Sequence, residues 1–424
     1  MNSNSTTKSN FGKWGWSMII YCAISFYLAA VLSTDTLNWF PEAFTNFRGW
    51  DASVVNLCNT MAGIGGWLGI IAAVVFSVLA VKIGSRYMAL IGNIACGIVC
   101  IVFAVTKNVT VFLIMIVLLV FISGNVQLNV VPNTLMNVWF PKKKGLALGW
   151  ASMGLPLCTA TIILILSAIG NPQTAYIIIG IFCIVFGIIS LFWVKNTPEE
   201  VGATPDNEPI NMEEAKAHMA LQEEAAKKMT LGVILKNRNT WLIGIGLGLL
   251  WMTTIGLVSN FITRQIMVGI PQGTAIMMLT IAAVVGIIGS YIWGWLDQKF
   301  NTKKASLIYG VWYLIALLLM IFHNGSMWMN ILATVFVGFG IGGIGNLIPS
   351  MIGTCFGRFG FLRANKVIAP MNTAIRSTAL VIIGLIGVSN LQMSYWVFFA
   401  GSCIAIILIA FIKIPEGADT SKQN

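Results

Sequence analysis

"KNTPEEVGATPDNEPINMEEAKAHMALQEEAAKKM", residues 195–229, is a long polar stretch in a chain that is otherwise strongly apolar. It holds eight of the 14 Asp and Glu residues. Beyond Pro209 it is rich in Ala, Glu and Lys at spacings that suit a solvated helix. The chain around it has 424 residues, 57% of them hydrophobic and only 9% charged, with 24 Phe, 15 Trp and 42 Gly. That composition excludes a soluble globular protein. The polar stretch therefore reads as a bridge between two membrane-embedded blocks.

A bilayer core of roughly 30 Å needs about 20 apolar residues per spanning helix. Cutting at charges, Pro/Gly clusters and polar breaks yields twelve spans, six on each side of the bridge. They are expected near 16–37, 53–80, 87–106, 110–138, 145–169 and 174–194, then 240–262, 273–296, 305–322, 327–351, 367–388 and 394–412. The expected organisation is a six-helix bundle over 1–194, a cytoplasmic linker with a surface helix over 195–239, and a second bundle with a short cytoplasmic tail over 240–424. This is an all-α membrane protein of two pseudo-symmetric halves.

Charge sets the orientation. Of the 25 Lys and Arg residues, a cytoplasmic N-terminus leaves only Arg48, Lys107 and Arg264 outside and Arg376 within the membrane. All the others, from Lys8 to Lys422, fall inside. That asymmetry is a positive-inside signal, and both termini are expected in the cytoplasm of a multi-pass plasma-membrane protein. The net charge of +11 belongs to this bias and to anionic lipid rather than to nucleic acid. The eight Cys read as buried apolar thiols; Cys96 and Cys100 share a helix face, but no His joins them to make a metal site.

The halves resemble each other. "VKIGSRYM" (81–88) follows span two and "GWLDQKFNTKK" (294–304) follows span eight. "WFPKKKGLALG" (139–149) follows span four and "CFGRFGFLRANK" (355–366) follows span ten. Basic, glycine-bearing turns at matching places imply a duplicated six-span unit, a plan used by transporters with a site between the repeats.

With these turns and the long central loop, the chain resembles the major facilitator superfamily. "NVWFPKKKGLALGWASMG" (137–154) and "NTPEEVGATPD" (196–206) are similar to segments of its oxalate/formate antiporter and monocarboxylate transporter groups. The resemblance implies that spans one, four, seven and ten line the path, and that the basic turns gate its inner mouth. Lys82, Arg86, Asp297 and Lys299 are the gating residues expected on that basis. Val81 stands where the superfamily turn carries an Asp, and Asp297 is displaced by one residue, so the expected gating pairs are incomplete.

Polar side chains within spans are costly and tend to face a cavity or a neighbouring helix. On the path-lining spans they include Tyr27, Asn125, Gln127, Asn129, Trp251 and Asn346, with Pro132 permitting a local break in span four. "GWASMGLP" (149–156) partly resembles an antiporter Gly-Pro motif. No Asp, Glu or His lies near the middle of a predicted span. Asp35, at the outer end of span one, is the nearest candidate for proton coupling.

Arg376, in "NTAIRSTALVIIG" (372–384), lies near the midplane of span eleven. A central Arg costs roughly +2.5 to +3.5 kcal/mol to insert. Its guanidinium stays charged and its fork suits a carboxylate. The oxalate-type exchangers keep a Lys in span eleven and an Arg in span eight; those places fall here on Asn372 and near Ser290. One cation in place of two points to a monoanion. The expected substrate set is Arg376, Asn372, Tyr27, Asn125, Gln127, Asn129, Trp251 and Asn346.

The expected function is secondary transport of a small organic anion, a monocarboxylate, by exchange or uniport in a lipid bilayer. The chain is expected to work as a monomer, without cofactor or metal. An ion-coupled symporter of a neutral or zwitterionic metabolite is the alternative. A non-transporting membrane sensor is the alternative of another class. The spans hold no metal-ligand cluster or Ser/His/Asp set for an enzyme.

Overall fold

In a computed structural model, residues 11–33, 35–209, 212–386 and 390–415 are described. Lys8, Lys422 and the last expected residues of span eleven, 387 and 388, lie outside them. Among the described residues there are helices and no strands. Eleven helices among the described residues are long and apolar enough to cross a bilayer. The longest, Ser53–Val105, turns at Gly84, whose φ of 79° belongs to glycine, so it supplies two spans.

The twelve spans are α1 (Gly12–Ser33), α2 (53–83), α3 (85–105), α4 (Val109–Trp139), α5 (Lys144–Ile169) and α6 (Pro172–Trp193). After the bridge come α7 (Arg238–Ser259), α8 (Gln272–Phe300), α9 (Thr302–Ile321), α10 (Met327–Phe356), α11 (Phe361–Ile386) and α12 (Leu391–Ala410). Short polar side chains start several of them. Asn108 accepts from Val111 N at 3.1 Å, Asn171 from Thr174 N at 3.0 Å and Asn301 from Lys304 N at 3.0 Å. Each satisfies an amide that the first helical turn leaves unpaired.

Three spans are interrupted where the sequence carries Pro or Gly. α4 opens into a π-helical turn at Val126–Val130, just before Pro132. Proline cannot donate to the preceding turn, and one extra residue relieves the clash with its ring. α5 breaks at Met153 and α10 at Gly342–Gly343.

Buried apolar side chains form two clusters. One runs from Phe11 to Val194 and the other from Leu242 to Ile412. Between helices of a membrane protein there is little hydrophobic drive, so close contact depends on small residues. Where α5 of the first cluster meets α8 of the second, Gly149 and Gly294 permit that contact. A Cβ on Gly149 would sit 2.8 Å from Ser290 O, and one on Gly294 would sit 2.5 Å from Gly145 O. Large apolar side chains such as Leu164, Phe192 and Trp328 point outward, as a lipid solvent allows.

The bridge is two things. Its first part, 195–208, folds onto the first cluster: Trp139 Nε1 donates to Lys195 O (2.9 Å) and Arg86 N to Asn196 Oδ1 (3.0 Å). Asp206 accepts from the backbone N–H of Lys142 (3.0 Å) and Lys143 (2.8 Å). Burial pushes its carboxyl up to about 6, against the pull of those two donors. The helix Met212–Lys227 follows, with most of its described side chains exposed.

Candidate functional site

Arg376 and Trp251 define the centre. The guanidinium carbon lies 4.1 Å from the centroid of the Trp251 ring, a cation–π stack between α11 and α7. Among the described residues Arg376 forms no ion pair and donates no hydrogen bond. A guanidinium has five N–H donors and cannot readily shed its charge. Stacking leaves the in-plane donors of the fork free to take a ligand.

One turn back along α11, Asn372 and Thr373 are buried. Asn372 Oδ1 lies against α7, 3.1 Å from where a Cβ on Gly248 would sit, and has no hydrogen-bond partner. Thr373 faces the first half of the chain. A Cβ on Gly69 of α2 would be 3.9 Å from Thr373 Cγ2 and 3.3 Å from Asn125 Nδ2 of α4. Gly69 of α2 thus has Asn125 of α4 and Thr373 of α11 both close by.

The amides of α4 divide. Asn125 donates to Phe121 O (3.0 Å), Asn129 to Gly124 O (2.7 Å) and Asn133 to Asn129 O (3.2 Å). Their nitrogens thus close on carbonyls of their own helix, as is usual for lone Ser and Thr. The oxygens of Asn125 and Asn133 remain buried without partners. Gln127 points elsewhere, donating to Asn93 Oδ1 of α3 at 2.5 Å. Asn346 binds Ser290 O of α8 at 3.0 Å and so ties two helices of the second half. Tyr27 hydroxyl pairs with Thr161 of α5 at 3.0 Å, near Thr159, which donates to Asp35 Oδ2 at 2.8 Å. Of the expected substrate set, Arg376 and Trp251 touch, Asn372 lies one turn back on the same helix and Asn125 packs over Gly69 of α2; Asn129, Gln127, Asn346 and Tyr27 make their bonds within one half.

At the face that carries the bridge, the two halves are clasped. Arg358, between α10 and α11, makes a bidentate pair with Glu199 of the bridge at 2.8 and 2.9 Å. It also donates to Val138 O of α4 at 2.6 Å, and both partners of the pair are buried. Asp297 is buried against Gly145 at the start of α5. Arg86 instead binds Val194 O of the first half and Glu200 of the bridge and, among the described residues, bonds nothing in the second half. Lys82 is exposed, and Lys299 rests 4.5 Å from its own helix's Trp295 ring. Of the four gating residues expected, Asp297 alone is described at a contact between the halves. The Arg358–Glu199 pair escapes sequence reasoning because its partners are far apart in the chain and each is one of several charges in its segment. The "PEE" beside a docked turn was the available signal.

No metal-ligating group of His, Cys, Asp and Glu occurs among the described residues. No curated protein matches the chain. Two solved structures share its fold throughout. One is the proton:xylose symporter XylE bound to 6-bromo-6-deoxy-D-glucose, with TM-score 0.75, 13% identity and coverage of 96% of this chain and 98% of that one. The other is the transporter FucP in the outward conformation, with TM-score 0.68, 16% identity and coverage of 93% and 98%. The model of the Major Facilitator Superfamily matches residues 14–376. The chain belongs to the major facilitator superfamily, a multi-pass membrane transporter that works by alternating access and is not an enzyme.

Proposed function

We propose that this transporter moves a small organic anion, a monocarboxylate, by exchange or uniport. Arg376 carries the reading: a guanidinium in a spanning helix, stacked on Trp251, with no described protein carboxylate beside it. The cargo would be its counter-ion. The segments 137–154 and 196–206, similar to those of oxalate/formate and monocarboxylate transporters, support an anion. With the termini and bridge cytoplasmic in the plasma membrane, the Arg358–Glu199 clasp would close the inner side. The bundles 1–194 and 240–424 would rock about the site as a monomer, with Asp297 and the clasp as inner gate.

Counterflow in proteoliposomes tests this. Loading with a monocarboxylate should drive uptake of labelled monocarboxylate, and Arg376→Gln should abolish it. A clear preference for a dianion or a neutral solute overturns the assignment. The second reading is ion-coupled symport, as in the proton:xylose symporter of the same fold. Asp35, bonded to Thr159 at the far end of α1, is the carboxylate that would serve it. Uptake that follows a pH gradient and is lost in Asp35→Asn would favour that reading.

A further inference from the structure

At the end of the bridge a short helix, Leu231–Lys236, leads into α7. Thr230 caps it by accepting from Val233 N at 3.4 Å, and the chain turns at Asn237, which is extended (φ −74°, ψ 119°). The first turn of α7 fixes that corner. Thr240 Oγ1 donates to Ile234 O at 2.6 Å and Trp241 Nε1 to Leu235 O at 2.8 Å. Both carbonyls belong to a last helical turn, which no helix satisfies by itself. Ile234 is buried, and the short helix packs against α7 and α11.

Its other apolar side chains are uncovered. Leu231 and Leu235 share a side of the helix with Ile234, yet each is 40% or more exposed, as are Trp241 and Phe411. Cations accompany them: Lys227, Lys228, Lys236, Arg238 and Lys413 are exposed and form no ion pair among the described residues. Two bonds between the Asn239 side chain and the Lys413 backbone, of 2.7 and 3.2 Å, bring the end of α12 alongside. The Arg238 guanidinium carbon lies 5.4 Å from the Phe411 ring. Ile245, one turn beyond Trp241 on α7, is exposed too, so the patch continues the outer surface of a spanning helix.

Leucine and tryptophan side chains suit the acyl boundary of a bilayer, and a basic cluster at the end of a span suits anionic headgroups. We infer that residues 227–241, together with Lys413, form a binding site for anionic phospholipid. Leu231, Leu235 and Trp241 enter the leaflet on the bridge face, and Lys236, Arg238 and Lys413 hold headgroup phosphates. The site is independent of what the protein transports.

The test places the full-length protein in nanodiscs of phosphatidylcholine, alone or mixed with phosphatidylglycerol. Hydrogen exchange of the 231–236 amides should be slower in the anionic discs. In detergent, added phosphatidylglycerol should raise the unfolding temperature. In the double variant Lys236→Gln, Arg238→Gln the midpoint of that rise should move about tenfold or more to higher lipid, at about fivefold per charge. The variant Lys303→Gln, Lys304→Gln, which neutralises a basic pair at the start of α9, should keep the wild-type midpoint. Equal exchange in the two kinds of disc, or a wild-type midpoint in the Lys236/Arg238 variant, overturns the assignment. So does an equal rise with inorganic phosphate, which would make the site one for free phosphate. Protection that grows with protein concentration in detergent alone would place a second copy of the chain on the patch and overturn it as well.

Discussion

Arg358 and Arg376 belong to the same end of the sequence, one just before α11 and one within it, and they are bound in opposite ways. Arg358 is saturated: two bonds to Glu199 and one to Val138 O use its fork and its Nε. Arg376 has an aromatic face and no described acceptor. A buried charge matched by protein holds a shape, whereas one left for something else holds a ligand. The saturated one joins the halves at the bridge face, and the open one lies on α11, which packs against α2 and α7. Alternating access needs this division, because the clasp must be breakable and the site must not already be filled.

The comparison breaks most sharply at Arg376. Arg376→Gln should lower anion transport about hundredfold or more, since two charge-assisted bonds are worth about 3 kcal/mol together at the least. Its thermal stability should hold or rise, because an unmatched charge leaves the membrane interior. A mutant that loses stability along with transport would place Arg376 among the structural arginines.

Arg358 should behave the other way. Arg358→Leu leaves Glu199 buried and alone, at a cost of about 3–5 kcal/mol to the clasped state. Labelling of the half-buried Cys355, at the end of α10, should accelerate. Adding Glu199→Leu should restore much of the protection, because the stranded charge is gone. A double mutant as loose as the single one would mean that the pair contributes only through Arg358's bond to Val138.

A smaller effect is expected from packing alone. Gly149→Ala places a Cβ 2.8 Å from Ser290 O and 3.0 Å from Gly294 Cα, both rigid backbone. Overpacking of this kind costs about 1–3 kcal/mol. It should therefore raise Cys355 labelling less than Arg358→Leu does, and unaltered labelling would show that the helices shift without opening.

The mildest prediction concerns pH. The Asp206 carboxyl stands at about 6, above the roughly 3.9 of an unfolded chain. The docked segment thus binds the proton more tightly than the undocked one. Docking should be firmest below about pH 4, weaken as pH rises towards 6, and level off beyond it. Hydrogen exchange at the Lys142 and Lys143 amides, corrected for intrinsic rate, should be faster at pH 7 than at pH 5. The reverse order would mean that the two backbone donors outweigh burial.

Much of the architecture was legible in the sequence, because a bilayer demands long apolar helices and a polar bridge can lie only outside it. Twelve spans, the surface helix and the break near Pro132 follow from composition, charge and proline chemistry. Helix ends moved by a few residues where Asn caps or the linker-face turns set them. α11 begins at Phe361, earlier than expected, because a basic first turn can still be helical outside the bilayer.

What the sequence determined by itself was the cost: one Arg at mid-membrane, and amides along α4, which no lipid could satisfy. What each polar group would find was decided by the tertiary structure alone. It gave Glu199 and Val138 O to Arg358, gave Asn93 to Gln127, and returned the nitrogens of Asn125 and Asn129 to their own helix. Partners so far apart in sequence meet only when helices cross at particular glycines, and spacing along one chain carries no record of that. Burial can be read from residue type, but satisfaction depends on which neighbour arrives, and Arg376 is notable for the neighbour it lacks.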